Sequence, residues 1–499
     1  MRTQGRGALE GCGDRALLPP RSSQQVKRLM TATEKILAKK SGNVAVRPGD
    51  NIWTNIDLLM THDVCGPGTF GIFQKEFGMD AKVRPRGACP TGGIPPWAPR
   101  DPPSFPCLGL GQREGGDHPR PLHLHLGPPR QPQCRHHARH GPEGKAPTWA
   151  ARRDWRSEKE TVVLLPTCAP LQYDIKYFYD ITDRSNFKAN PDYKGVCHVA
   201  LAQEGHCRPG EVLVGTDSHT CNAGAFGEFA TGIGNTDAGF VLGTGKLLLK
   251  VPPTMRFVLE GEIPPYILAK DLILYIIGEI TVSGATYKAM EFTGPALAGL
   301  NMEERMTICN MVVEAGGKNG IIPPDQITFD YVNARTNKPY EAVYSDDGAS
   351  YVVEYRIDVS KLVPVVAAPH SPDNRKTAFE CRDKKIDRVY IGSCTGGKSE
   401  DFFAAAKILH RAGKKVVVPT YLVPATQKVW ADVYTVPVPG CDGKTAAQIF
   451  EEAGCVTPAA PSCAACLGAP LVRSASPPPQ RGSDRTPLLQ VGPGTRLPG

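Results

Sequence analysis

Residues 170–470 predict an α/β fold, and three observations carry that prediction. Apolar strand-like runs alternate with helical runs throughout the stretch. The apolar run "EVLVGT" ends in Asp217-Ser218-His219 and is followed by a Gly/Ala-rich helical segment expected to begin near Asn222. A second apolar run, "IDRVYIG", turns through the Gly-rich "SCTGGK" into an Ala-rich helical run. In α/β proteins the site lies where strands end, so both turns are places to look for chemistry.

Composition narrows the classes. With 499 residues, 41% of them hydrophobic, the chain is long enough for roughly two to four domains with proper cores. The net charge of +8 comes largely from the N-terminus, the 84–157 stretch and the tail, with no basic stripe interleaved with aromatics, so nucleic-acid binding is not expected. Nor is a membrane span: "ILAKDLILYIIGEI" is short and carries charges. Sixteen scattered cysteines suit reduced thiols, a minority of them available for metal, better than a disulfide scaffold.

Taken in order, residues 1–29 hold five arginines, few acids and no apolar h-region, which excludes an ordinary secretory signal. That leaves an organellar transit peptide or a plain disordered leader. Residues 30–83 read as folded, opening on an amphipathic helix capped by Thr31 or Thr33 ahead of Glu34 to Lys39. Residues 84–169 turn Pro- and Gly-rich and lose both helix and strand period, as a disrupted or disordered insert does. Two α/β domains are expected over 170–330 and 331–470. The segment 471–499 is poor in apolar residues and reads as a disordered tail.

Six of the twelve histidines crowd into 118–140. They read as a metal cluster with Cys134, as a loop with nothing to hold ligands, or as the product of a shifted reading frame. The third is favoured. Permissible codons for "REGGDHPRPLHLHLG", slid by one nucleotide, give EKVVIIPDHYIFT, a buried-strand run with a Pro-Asp-His turn. Sequencing the transcript across the region is expected to find the frame interrupted; a continuous frame there overturns this reading.

Gly392 through Ser399 matches the P-loop pattern G-x-x-x-x-G-K-[ST]. A P-loop needs Lys398 on phosphates, Ser399 on magnesium and an aspartate ending a later apolar strand. "GKKVVVPTYLVP" ends without one, and Asp432 stands in a poor setting. The competing reading makes Cys394 the point of the turn. Cys463 and Cys466 form C-x-x-C, a spacing that lets two thiolates reach one metal centre, and Cys394 would be a third. Zinc wants a fourth ligand, for which Cys441 and Cys455 stand in weaker context; an iron–sulfur cube held by three thiolates leaves one iron for substrate. The bland alternative is three unrelated small buried residues.

Asp217 and Ser218 could be helix caps, the commoner role for such residues. With His219 they place an acid, a hydroxyl and an imidazole at one sheet edge, where a carboxylate orients the ring and raises its basicity. His198 in "GVCHVALAQEGH" and His62, beside Asp63, are further candidates that individually suit structural roles as well. Asn310 and Glu314, four apart in "RMTICNMVVEAGG", are expected on one face of a helix, with Glu314 amid apolar residues.

Together "DSHT…GAFGEFATGIGNTDAG", "MTICNMVVEAG", "GSCTGG" and "PSCAACLG" resemble, in this order, the isopropylmalate dehydratase large-subunit family of the aconitase and homoaconitase superfamily. The resemblance covers roughly 30–83 and 170–470 and is closest to the plant and algal type. It implies aconitase-like α/β/α domains surrounding a 4Fe-4S cluster held by Cys394, Cys463 and Cys466, whose free iron serves as Lewis acid. It implies a hydro-lyase that interconverts 2- and 3-isopropylmalate by dehydration and rehydration in leucine biosynthesis. The homoaconitase or aconitase-type hydratase is the nearer alternative and a P-loop nucleotide-binding protein the more distant. Asp217, Ser218, His219, His198 and Glu314 take the catalytic positions, and Asn310 and, more loosely, His62 take the substrate-binding ones. It further implies a separate small subunit (a heterodimer or larger assembly) and a chloroplast stroma location, with the mitochondrion as alternative. Two departures stand out: the family's Pro-Asp-His segment returns only in the shifted frame, and its arginine-bearing segment after the C-x-x-C is missing beyond Pro470. The chain as it stands, a damaged copy or a faulty gene model, is therefore expected to turn over little.

Overall fold

The computed structural model describes residues 28–62, 65–78, 81–83, 160–165, 175–180, 187–191 and 193–463, all of them in one compact unit. The leader, the histidine-rich 118–140 stretch with its shifted-frame reading, Asp63, Cys466 and the tail lie outside the described residues.

The chain enters through the helix Ala32–Ser41, capped as a capping box: Thr31 Oγ1 accepts from Glu34 N at 3.3 Å, and Glu34 Oε2 accepts from Thr31 N at 2.8 Å. Of the two expected caps, Thr31 is the one used. Strands β1 (Asn51–Asn55) and β7 (Lys246–Lys250) form an antiparallel ribbon. The central sheet is parallel, in the order β4-β3-β2-β5-β6, from β2 (Leu58–Thr61), β3 (Glu160–Leu165), β4 (Tyr177–Asp180), β5 (Val212–Gly215) and β6 (Phe229–Gly232).

Strands β2 and β5 are buried on both faces, as parallel strands covered by helices must be. The period of two sorts their side chains between two cores. Leu58, Met60 and Leu213 point into one; Leu59, Val212 and Val214 point into the other, where Ile36, Phe73 and Leu242 from three helices meet them. A second parallel sheet, β10-β9-β8-β11, comprises β8 (Thr254–Glu260), β9 (Ala289–Thr293), β10 (Asn319–Ile321) and β11 (Glu354–Asp358). It packs Met255, Phe257 and Phe292 into the first core, together with Ile273 and Ile277 of the helix Ala269–Ile280. A short antiparallel pair, β12 (Val365–Ala367) and β13 (Arg375–Thr377), follows.

The third body pairs β14 (Val389–Gly392) with β15 (Thr420–Val423) in parallel. Phe402, Val429, Val433 and Phe450 from three helices close its own core. It is tied to the rest by Val196 N donating to Ala425 O at 2.7 Å and by Tyr193 Oη donating to Pro461 O at 2.6 Å.

Two local expectations need correction. The segment after Asp217 is a 3-10 helix, Ser218–Phe226, that starts four residues before Asn222. The cause is packing: a Cβ on Gly224 would stand 1.6 Å from the Gly320 carbonyl, so the segment lies flat against β10 where a wider helix has no room. Likewise Asn310 ends the α-helix Met302–Asn310, and Glu314 belongs to the 3-10 turn Met311–Ala315 that continues it.

Arg305 anchors this region. Fully buried, it makes a two-pronged pair with Asp325, both contacts 2.7 Å, and donates to the Leu300 and Leu297 carbonyls. Burial pushes the Asp325 carboxyl up, but its bonds to Arg305 outweigh that and hold it below the usual carboxylate range. The pair therefore stabilises the fold above the ordinary carboxylate pKa and fades as pH falls through the lowered one. Asp325→Asn is predicted to cost about 3 kcal/mol, the lower end for stranding a buried charge because the carboxylate is partly exposed. A urea melt at neutral pH measures it; an unshifted midpoint would contradict the anchor.

Candidate active site

The site begins at one edge of the central sheet. Strands β2, β5 and β6 run parallel, so their carboxyl ends deliver His62, Asp217 and Gly232 to the same place. Asp217 takes extended backbone and caps the 3-10 helix, its Oδ1 accepting from His219 N at 2.8 Å. Asp217 is a cap, and the same oxygen also lies 2.8 Å from His198 Nε2 while Oδ2 lies 3.6 Å from His62 Nε2, so capping does not exhaust its contacts. Gly232 makes room: a Cβ there would come within 2.6 Å of the Asp217 carbonyl.

His198 is the second residue of the helix Cys197–Gln203 and is buried. His219 is partly open; its Nε2 lies 3.3 Å from Glu314 Oε1 and its Nδ1 lies 3.3 Å from Ser218 Oγ. Ser218 is exposed and borders a cleft of about 440 Å³ lined also by Ile233, Val313, Tyr287 and Lys318.

Charges here hold one another in place. Burial pushes the Asp217 carboxyl up, but the charge and hydrogen bonds of His198 and His219 outweigh it, keeping the group well below the usual carboxylate range. Burial lowers His219, yet the Cys394 thiol, Asp217 and Glu314 together raise it well above an ordinary imidazole. For His198 burial wins over Asp217, and its pKa falls. The site thus pairs a carboxylate held low with one imidazole held above its ordinary value and one held below it.

Cys394 follows β14 in the helical turn Ser393–Gly396 and comes within 3.7 Å of Asn310 Oδ1. Asn310 Nδ2 donates to Asn222 Oδ1 at 3.3 Å. Cys463 Sγ accepts from Cys197 N at 3.2 Å and lies 3.6 Å from Cys197 Sγ. Cys394 and Asp217 lie within electrostatic reach of that same Cys197 thiol, which burial pushes far up. The structure therefore brings nine of the ten expected site residues, Cys394 and Cys463 among them, to one region, and only Cys466 lies outside the described residues. Among the described residues no group of three or more His, Cys, Asp or Glu could hold a metal ion. The donor set suits an iron–sulfur group all the same: two convergent thiols with a C-x-x-C partner, and the buried Asn222 Nδ2, which has no hydrogen-bond partner among the described residues and could donate to sulfur. Sequence reasoning passed over Cys197 and Asn222. Each sits beside a residue it did select or inside a motif it did quote, but only the fold shows their contacts.

The nucleotide reading fails on geometry. Lys398 is 1% exposed, with Nζ on the Cys394 carbonyl and on Asp401, and Ser399 Oγ donates to Asp432 Oδ2 at 2.8 Å. Asp432 lies within the helix Gln427–Thr435 and does not end a strand. The groups a phosphate would need are spent inside the fold. Cys441 and Cys455 belong to the core around β14 and β15 and are not ligands in waiting.

The chain belongs to the aconitase family, a class of hydro-lyases, whose model (aconitate hydratase) matches residues 171–381 and 374–476. The chain is 62% identical over 451 residues to the chloroplastic 3-isopropylmalate dehydratase large subunit of Arabidopsis thaliana, covering 90% of this chain and 78% of that one. It is similar also to the 3-isopropylmalate dehydratase large subunit of Aquifex aeolicus, at 34% over 88% of this chain and 85% of that one. A third relative, the probable methanogen homoaconitase large subunit of Methanosarcina mazei, is 44% identical over 61% of this chain and 74% of that one.

Because Asp217 supplies part of the field that raises His219, Asp217→Asn is predicted to let His219 lose its proton at a lower pH. Side-chain NMR of His219 across a pH series reads this, and an unmoved titration would refute the pairing.

Proposed function

We propose that the chain is the cluster-bearing large subunit of a 3-isopropylmalate dehydratase, isomerising 2-isopropylmalate to 3-isopropylmalate in leucine biosynthesis. The observation that carries this is the convergence of the Asp217–His198–His219–Glu314 network with the Cys394 and Cys463 thiols at one site, in a chain of this family. Cys394, Cys463 and Cys466 would hold a 4Fe-4S cluster, which when bound supplies a Lewis acid for the substrate hydroxyl.

The chain's own residues do the rest. Asp217 stays ionised and fixes the rings of His198 and His219. His219 keeps its proton to higher pH than a free imidazole, and the contact between its Nε2 and Glu314 Oε1 stores that proton beside the cleft. In dehydration the store protonates the departing oxygen, and in rehydration it takes the proton back from water. Ser218 and Asn310 contact the hydroxy-dicarboxylate, Ser218 from the cleft and Asn310 from beside Cys394. The proton on the substrate carbon is left to a base from a separate small subunit, the partner that the relatives' large-subunit names imply. The chloroplast stroma is the proposed location, on the strength of the chloroplastic relative. A homoaconitase activity is the second reading, favoured by the similarity to the Methanosarcina mazei protein.

Oxygen-free reconstitution with iron and sulfide tests the reading. The expected product has broad visible absorbance that Cys394→Ser or Cys463→Ser abolishes, and protein that stays colourless and iron-free sinks the proposal. With small subunit added, isopropylmalate, homoaconitate and citrate offered in parallel decide the substrate. A frame-repaired chain run alongside shows how much turnover the 84–169 segment suppresses.

A further inference from the structure

The Cys394 turn is gripped from two sides by lysines that the acid–base network does not use. Lys398 sets Nζ 3.3 Å from the Cys394 carbonyl and 3.1 Å from Asp401 Oδ2. Lys270, in the first turn of the helix Ala269–Ile280, reaches across to Thr395 Oγ1 at 3.1 Å, one residue beyond the thiol. Lys398 has a carboxylate partner. Lys270 has none: among the described residues no Asp or Glu oxygen lies within 4.0 Å of its Nζ. Burial lowers the Lys270 pKa and Lys398 pushes it the same way; the Cys394 sulfur is the foremost charge working against them, with Asp401 and Glu314 also in electrostatic reach. A partly buried ammonium without a carboxylate is costly unless another anion answers it. The Cys394 sulfur, with whatever anionic group it ligates, is the answer the site offers.

We infer that Lys270 and Lys398 are positioning residues for the cluster: they pin the turn at its carbonyl and hydroxyl and keep positive charge behind the Cys394 sulfur, raising the reduction potential of the iron–sulfur group it ligates. This rests on the cluster reading above. Iron–sulfur potentials respond to net charge and to hydrogen bonding around the sulfurs, so a cation within electrostatic reach of Cys394 favours the reduced, more negative state. It also accounts for the lysine of the P-loop-like pattern, which serves the turn that carries it and no phosphate. Asp401 partners Lys398, and Lys270 contributes the cation that has no carboxylate partner.

The test is a redox titration of the reconstituted protein followed by electron paramagnetic resonance, on wild type, Lys270→Met and Lys270→Arg. Lys270→Met, which keeps the chain length and removes the charge, is expected to move the midpoint to lower potential, and Lys270→Arg to return it toward wild type. A loaded Lys270→Met protein with the wild-type midpoint overturns the inference while leaving the cluster reading intact. Should Lys270→Met not take up iron, Lys398→Met and Lys398→Arg carry the same readout, and an unshifted midpoint there overturns it equally. Wild type that never takes up iron overturns the cluster reading, and this inference falls with it.

Discussion

One carboxylate organises the site. Asp217 lies at the end of a strand buried on both faces, and its two oxygens are shared among His198, the His219 backbone and His62. Each of those comes from a different segment, so the side chain is the point where the sheet edge, the 3-10 helix and the helix Cys197–Gln203 agree on one geometry. A neutral group could not do this. Burial alone would favour protonation, and the imidazoles around it, with the His219 backbone N–H, keep the charge in place. The dependence runs both ways, since His219 holds its proton partly because Asp217 does not.

That arrangement explains why so much of the site was legible in the sequence. Asp217, Ser218 and His219 are contiguous and follow an uninterrupted apolar run, so strand end and site coincide in the text itself. The buried pattern of β2 and β5 is equally plain, because a strand covered on both faces writes itself as consecutive apolar residues. Asn310 and Glu314 were paired from their spacing, and both do reach the site, though the backbone between them tightens from α to 3-10. The spacing argument survives the change because Asn310 still reaches Cys394 and Glu314 still reaches His219.

What was not legible follows from contacts between distant segments. Cys197 looked like one more small apolar residue at a helix start; only the fold sets its sulfur 3.6 Å from that of Cys463, 266 residues away. The start of the 3-10 helix was misjudged because its cause, the Gly320 carbonyl pressed against Gly224, belongs to a strand far along the chain. Lys270 sits in a segment notable only for being too charged to cross a membrane, and nothing local links it to Thr395. The P-loop pattern is the opposite case, a local match whose meaning the fold reverses.

The Cys394 turn shows how that reversal works. Ser393 adopts a left-handed φ of 66°, rare outside glycine, at a cost of order 1–3 kcal/mol. Such a conformation persists only where its surroundings fix it, and here the restraints are visible: the Lys398 ammonium on the Cys394 carbonyl, the Lys270 ammonium on Thr395, and the Asn310 amide oxygen at the Cys394 sulfur. A phosphate-binding loop must leave its lysine free to move toward an anion that arrives from outside. This loop commits its lysine to its own backbone and points its cysteine at the network around Asp217 instead. The glycines that suit a phosphate cradle serve here to let a thiol-bearing turn fold back on itself, and the anion that Lys398 answers, Asp401, is one the chain supplies.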